Sequence, residues 1–473
     1  MGFCVTPFRQ KAGDQESGDG VGRGWDELLW SPTLSPASAD ERGNPDFWFR
    51  SLSPKSGDEM GHPVIESGRA LGVYVSVPFC RSKCTYCNFA SGVYPAAEHE
   101  RYVQRLIEDL AGAGEWAARV GVELPRRVDT VYLGGGTPSL LAPALIAKLV
   151  AALRADFDVD PRAEITMECA PGQIADETLA AMVAAGVNRV SLGVQSFIDR
   201  EAAVSGRLHN RAMVMEDLRR LRAAGISNLN VDLIAGLAGQ TLDSWDQSLA
   251  ELIGCGVPHA SVYMLEVDED SRLGREMLAR GTRYFAELVP ADDAIAQMYT
   301  TAVEKLAAAG VAQYEISNFA RPGFESRHNL RYWQRWPYLG VGLDASSMAL
   351  SAAGSSRAAA AQGAVLRSTS TSDLKAYLSE RSDPEMEWIS PAGQHEEAWF
   401  LGLRLNAGVD VAAIEREFGP RMLEEALAAV RRLKESGLVT FDGETVRLTA
   451  QGRLLANEVF QEFVQMPVDS VAV

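Results

Sequence analysis

The sequence predicts an α/β protein: an open (β/α) barrel of parallel strands, followed by a smaller, mainly helical domain with a winged-helix-like pattern. Three observations carry this. From about Gly72, short apolar strand-like runs alternate with amphipathic stretches of 10 to 19 residues, the signature of a parallel sheet with crossover helices. No G-x-G-x-x-G string accompanies the six repeats, which favours a barrel-like sheet over a nucleotide-binding doubly wound one. From about His395 the pattern changes to helix, helix, hairpin and helix.

In chain order, residues 1–68 come first, rich in Gly, Ser, Pro, Asp and Glu and without sustained periodicity, and they read as a disordered leader. Its exceptions, Trp25, Leu28, Leu29, Trp30 and Phe47-Trp48-Phe49, are either docking spots or adventitious sequence from an early start codon. The strand-like runs are Val73–Val77, Val128–Leu133, Glu164–Glu168, Arg189–Gly193, Asn228–Leu233 and His259–Met264. Between them Glu100–Ala118, Leu140–Ala155, Asp176–Ala185, Ala212–Ala224 and Leu242–Ile253 repeat apolar residues at helical spacing. A helix over Asp292–Ala309 and a strand over Ala312–Ile316 extend the barrel unit, which spans 69–350. Residues 351–392, small, polar and alanine-rich at their start, read as a linker. The last unit, 393–473, has helices over Glu396–Arg404, Val411–Phe418 and Met422–Ser436. There follow a hairpin turning at Asp442-Gly443 and a closing helix, Ala450–Phe463.

Charge and composition narrow the function. The 473 residues carry 45 Lys+Arg against 63 Asp+Glu, a net charge of −18, with no basic block. That argues against a nucleic-acid partner, despite the winged-helix-like pattern. No apolar run reaches the roughly 18 residues of a membrane span, and the N-terminus lacks the apolar core of a signal peptide. Free thiols in a motif point to a reducing, cytoplasmic setting. An oligomer is compatible with all of this.

The chemistry gathers at Cys80-Arg-Ser-Lys-Cys84-Thr-Tyr86-Cys87-Asn88-Phe89, where three of the six cysteines follow the first strand in a C-x3-C-x2-C pattern. Structural zinc takes four protein ligands, commonly from paired knuckles, and the chain has no second C-x2-C. Three thiolates suit an iron–sulfur cubane, which then keeps one iron open for a ligand. Zinc with a distant fourth ligand and a coincidence of thiols are the alternatives. Gly134-Gly135-Gly136-Thr137-Pro138 ends the second strand and offers bare backbone N–H groups, or a tight turn. Glu168 ends the third strand as an acceptor for ribose hydroxyls, or as a cap or ion-pair partner; Cys169 beside it reads as a buried small residue. Gln195, Arg207 and Asp232 follow at successive strand ends; jointly they favour a binding site over one barrel mouth.

These residues resemble radical S-adenosylmethionine (SAM) proteins, with Tyr86 in the place of the aromatic before the last cysteine. The likeness narrows to the HemN-like, coproporphyrinogen dehydrogenase-like branch through Tyr314-Glu315-Ile-Ser317-Asn318, His328-Asn329-Leu-Arg-Tyr332-Trp333, Glu397…Leu403-Arg404-Leu405 and Leu448-Thr449-Ala-Gln-Gly452-Arg453-Leu454. It spans about residues 72–465 and implies an open partial TIM barrel of the radical SAM type with a HemN-type C-terminal domain. It further implies a [4Fe–4S] cluster on Cys80, Cys84 and Cys87, and SAM's aminoacyl end at Gly135, Gly136 and Thr137. Glu168, Gln195, Arg207 and Asp232 match positions around the ribose and carboxylate, and Tyr74 and Tyr86 match aromatics near the cluster and nucleoside. Phe89 stands where decarboxylating oxidases of the branch have a fourth cysteine, so the chain looks like the HemW-type, heme-chaperone side of the branch. That side passes heme to acceptor hemoproteins, respiratory ones among them, and needs an electron donor for its cluster. His328 is then a candidate heme ligand, or a hydrogen-bonded histidine fixing its loop; Tyr332, Trp333 and Trp336 flank a porphyrin or simply pack. Two positions depart from the branch: Ser76, and Ser346 in Gly340-Val-Gly342-Leu-Asp344-Ala345-Ser346-Ser347, each standing where it has histidine. An oxygen-independent coproporphyrinogen III oxidase, and a radical enzyme with another small-molecule substrate, are the alternative functions.

Overall fold

A computed structural model describes residues 69–361, 364–379 and 384–464; the expected leader and its aromatic clusters lie outside the described residues. Strands β1 (Leu71–Val77), β2 (Arg127–Gly135), β3 (Asp158–Cys169), β4 (Arg189–Gln195), β5 (Asn228–Ala235) and β6 (His259–Met264) run parallel, side by side in that order. Beyond β6 the sheet turns antiparallel with β8 (Asn318–Ala320) and then β7 (Ala312–Glu315). On the other side β9 (Tyr338–Val341) lies parallel to β1, and β10 (Ser346–Ser351), β11 (Val365–Thr369) and β12 (Glu385–Ile389) continue antiparallel. With the short strand Val122–Glu123 they form one open 13-stranded sheet whose path ends at β12 and β7. The alternation read from the sequence is therefore the observed barrel.

Alternate residues of the parallel strands divide the barrel into an apolar outside and a polar inside. Val73, Val75, Val131, Leu133, Ile165, Val190, Leu192, Val231 and Val262 join one core with Leu106, Leu110, Ile146 and Leu149 of the helices Ala96–Val120 and Pro143–Asp156. The first of these helices buries Tyr102, Val103, Leu106, Leu110, Ala113 and Ala117, spaced as one face, and stops at left-handed Gly121, whose N–H bonds Ala117 O. The inward set is hydrogen-bonded: Asn230 Nδ2 donates to Ser191 Oγ (2.7 Å) and Ser261 Oγ (3.0 Å), and Ser261 Oγ donates to Asn318 Oδ1 (2.9 Å). His259 bridges Asn230 Oδ1 (2.6 Å) and Tyr314 OH (3.0 Å).

The stretch 351–392 is not a linker. β11 and β12 extend the main sheet there, with Val365 and Leu366 buried on its two faces. Serines and a mid-strand arginine hide the alternation, because Arg367 looks like a surface residue. Its guanidinium is buried against Glu397, Nη1 to Oε1 at 2.6 Å.

The C-terminal unit follows the sequence closely. Helices Pro391–Arg404, Val411–Phe418 and Pro420–Glu435 precede the hairpin Val439–Phe441/Thr445–Leu448, which the strand Val409–Asp410 extends to three strands. Helices Ala450–Leu454 and Ala456–Val464 close it, with Trp399 stacked on Phe463 at 5.0 Å. It docks on the barrel through Asn406 N–H to Tyr314 O (3.0 Å), Arg335–Glu417 (3.0 Å), Arg367–Glu397 and Arg404–Glu315 (3.7 Å).

Four buried histidines make the fold acid-sensitive. Burial lowers His259 and His328 well below the ordinary value, and takes His209 and His395 down to about 4. The unfolded chain binds these protons from about pH 6.5 while the folded chain does not, so stability is full above that pH and falls below it. Each histidine removes about 1.4 kcal/mol per pH unit until its folded value is reached. Denaturant midpoints measured from pH 7 to 5 should fall steadily, and less steeply in His395→Gln.

Candidate metal centre at the barrel mouth

β1 delivers the chain through Pro78-Phe79 to the cysteine loop. Phe79 is buried and stacks on His99 at 3.8 Å, which anchors the root of the loop. Cys80 N–H bonds Gly92 O (2.8 Å) and Gly92 N–H bonds Pro78 O (2.9 Å), pinning the two ends together. Lys83 Nζ donates to Phe89 O (3.0 Å) and Ser91 O (3.1 Å), folding the second half of the loop back over the first. Outside contacts complete the frame: Thr85 N–H to Ser205 O (3.1 Å), Leu273 N–H to Thr85 O (2.9 Å) and Asn88 Nδ2 to Asp268 Oδ2 (2.9 Å).

The three thiols line one cleft. Thr137 Oγ1 lies 3.9 Å from Cys80 Sγ, Arg207 Nη1 3.5 Å from Cys84 Sγ, and Ser91 Oγ 3.9 Å from Cys87 Sγ. Burial pushes the Cys80 and Cys87 thiols up, and the neighbouring cysteines push the same way, so both are protonated near neutrality and metal uptake releases their protons. Among the described residues no three His, Cys, Asp or Glu side chains converge as ligands of a single ion. A cubane binds each thiolate at a different iron, so its ligands ring a volume instead of meeting at a point.

Every sequence-predicted site residue except Tyr74 and His328 lines this cleft: Cys80, Cys84, Tyr86, Cys87, Phe89, Gly135, Gly136, Thr137, Glu168, Gln195, Arg207 and Asp232. Gly136 must be glycine, because a Cβ there would lie 2.8 Å from Phe79 O and push the glycine turn off the cysteine loop. Gly193 leaves room for Arg207, whose Nη2 donates to Gly193 O. Glu168 accepts from Tyr132 OH (2.9 Å) and Gly135 N–H (3.1 Å); Asp232 accepts from Asn230 Nδ2 (2.7 Å) and Ser191 Oγ (3.1 Å). Both carboxylates are thus aimed by residues one layer deeper. Cys169 is buried with its thiol raised to about 12, a small core residue as its context suggested.

Two acceptors in the cleft have no protein partner. Gln195 is 1 % exposed, holds a left-handed φ of 70°, and leaves Oε1 without a hydrogen bond. Such strain in a non-glycine residue marks functional sites. Gln173, which the sequence reading passed over, also leaves its buried Oε1 without a partner. A glutamine after Pro171-Gly172 reads as an ordinary loop residue, and only the fold turns it inward. A buried acceptor left unpaired costs free energy that a ligand N–H or O–H recovers. Three thiols, bare backbone at Gly135 and Gly136, and these oxygens fit a cluster with a nucleoside-bearing ligand beside it. When bound, such a pair would offer electron transfer from the cluster to a sulfonium-bearing ligand.

Tyr74 and His328 lie below the mouth. Tyr74 stacks on Tyr132 at 6.1 Å and comes within 6.4 Å of the His328 ring. His328 is 1 % exposed, with Nδ1 at 3.0 Å from Thr130 Oγ1 and Nε2 at 2.9 Å from Tyr332 OH. Both ring nitrogens are engaged, the arrangement of a histidine that fixes its loop. The neighbouring aromatics pack: Tyr332 on Tyr338 (4.7 Å), Trp333 under Arg404 (4.2 Å) and Trp336 under Arg69 (3.9 Å). At the two departures, Ser76 sits beside Gly135, and Ser346 Oγ pairs with Thr369 Oγ1 at 2.9 Å.

An open β/α barrel with this thiol mouth is the architecture of a radical SAM protein, and residues 74–252 match the radical SAM superfamily while 389–455 match the HemN C-terminal domain. Coproporphyrinogen III oxidase (HemN) from Escherichia coli has the same fold, with a TM-score of 0.69 and 22% identity over 84% of this chain and 90% of that one. The heme chaperone HemW of Lactococcus lactis is 32% identical over 394 residues, 83% of this chain and 96% of its own length. HemW of Bacillus subtilis is 32% identical over 83% of this chain and 98% of its length. The chain belongs to the HemW family of the radical SAM superfamily.

Two substitutions test the site. Cys84→Ala should abolish cluster assembly, measured as iron and sulfide per chain after anaerobic reconstitution; a full complement would remove Cys84 from the ligand set. Gln173→Leu should weaken SAM binding about five- to tenfold by calorimetry, the worth of one uncharged hydrogen bond, at unchanged iron content.

Proposed function

We propose that this protein is a cytoplasmic heme chaperone: it holds a [4Fe–4S] cluster on Cys80, Cys84 and Cys87, binds SAM in the adjoining cleft, and delivers heme to acceptor hemoproteins, respiratory ones among them. The observation that carries the reading is the three-thiol mouth in a chain similar, over nearly their full length, to proteins named heme chaperones. Phe89 lines the mouth where a fourth cysteine would put another thiol. In this reading Gly135, Gly136 and Thr137 receive SAM's aminoacyl end. Glu168, Gln195, Arg207 and Asp232 surround its ribose and carboxylate, and Tyr86 and Phe89 wall the side nearest the cluster. Tyr74 acts from behind, through Gly134 and Tyr132.

Heme is then held without His328, whose two ring nitrogens already have partners. Heme titration followed in the Soret region should saturate near one per chain in wild type and in His328→Gln, and the loaded protein should pass heme to an apo-hemoprotein. Loss of binding in a folded His328→Gln would restore it as the ligand. Conversion of coproporphyrinogen III with consumption of SAM, in place of heme transfer, would make the protein an oxidase.

A further inference from the structure

Strand β4 ends in a bulge at the edge of the cleft. Gly193 pairs with Asp232 of β5 and Gln195 with Leu233, so two residues of β4 span one step of its neighbour and Val194 is the extra one. On the other side the pairing with β3 stops at Leu192. Val194 is sealed from solvent, so its carbonyl needs a donor from outside the sheet. His209 supplies it, with Nε2 at 3.1 Å from Val194 O. A carbonyl only accepts, so Nε2 carries the proton of a neutral imidazole. Burial and the neighbouring Arg207 hold the ring's pKa down at about 4, and Nδ1 is buried without a partner. His209 itself is 5 % exposed and is not part of the cleft lining.

The turn that carries His209 is fixed on both sides. Ser205 O accepts Thr85 N–H at 3.1 Å, and Gly206 lies so close to the cysteine loop that a Cβ there would stand 3.2 Å from Cys84 Cα. Beyond His209, Asn210 Oδ1 caps the helix Arg211–Ala223 by accepting Met213 N–H at 3.0 Å. From this footing the turn grips two successive carbonyls of the bulge, Gly193 O through Arg207 and Val194 O through His209.

We propose that His209 is a positioning residue of the SAM site: it holds the Val194–Gln195 peptide so that Gln195 keeps its left-handed backbone and aims Oε1 into the cleft. The proposal rests on the reading that SAM occupies this cleft and meets Gln195. A non-glycine residue at a φ of 70° stays there only while its surroundings over-determine it. Without the imidazole, Val194 O would be buried and unpaired. Turning that peptide toward another donor would return Gln195 to an extended backbone and carry Oε1 out of the cleft.

The test is SAM binding by calorimetry on the reconstituted full chain, as a double-mutant cycle of His209→Leu, Gln195→Ala and the two combined, with His209→Gln beside it. His209→Leu should weaken SAM about five- to tenfold, and His209→Gln, which keeps a neutral donor, should recover most of the loss. In the Gln195→Ala background His209→Leu should cost little more, because it acts through Gln195. A full, additive loss in the double variant would overturn the proposal and leave His209 a general structural role. So would wild-type affinity in His209→Leu. If the leucine variant does not fold, the same cycle with His209→Ala decides. Gln195→Ala that binds SAM as wild type does would instead remove Gln195 from the SAM site, and the proposal with it, a result read without any change at His209.

Discussion

The site depends on one register: β1 and β2 pair so that Val77 faces Gly135, and Gly136 N–H then bonds Val77 O at 2.8 Å. That contact lays a bare backbone turn on the root of the cysteine loop and brings Thr137 alongside Cys80. A slip of one residue would send every inward side chain of β2 to the helix face and carry Tyr132 away from Glu168. From this pair of strand ends the rest of the mouth follows in order around the sheet, with Glu168, Gln195 and Asp232 each one strand further on. A parallel sheet with right-handed crossovers collects its strand ends on one side, so residues far apart in sequence come to share one cleft.

Below the mouth the barrel interior is polar, buried and hydrogen-bonded to itself. Asn230, Ser191, Ser261 and His259 form one connected network that fixes Asp232, and Tyr132 does the same for Glu168. Holding a carboxylate by neutral donors keeps its orientation without neutralising it, so it can still accept from a ligand. The cost of so many buried polar groups is met by mutual hydrogen bonding, and the same design leaves several histidines neutral inside.

Much of this was legible beforehand because the physics was local. Periodicity located the six parallel strands and five of the helices between them, missing the first six residues of β3 and the short helix Asp199–Val204, and the C-terminal hairpin announced itself at Asp442-Gly443. Cysteine spacing and polar residues at strand ends named the cleft. What escaped was decided by tertiary contact. Arg367 in β11 reads as surface until Glu397 is placed against it. His328 reads equally as an available imidazole or as one fixing its loop, and only the fold brings Thr130 and Tyr332 onto its two nitrogens. Gln173 has no pattern at all and becomes part of the site only through the turn that carries it.

The seam between barrel and C-terminal unit has a consequence for inheritance. Arg335, Arg367 and Glu315 are all but sealed from solvent, and each finds its counter-charge on the other side of the seam. A chain that exchanged the C-terminal unit for one packing the same way but lacking Glu417, Glu397 and Arg404 would keep three charges in a dry place with nothing opposite them, a penalty of several kcal/mol for each. The two halves can therefore be shuffled only together, and the boundary visible in the sequence marks a joint that evolution cannot easily cut.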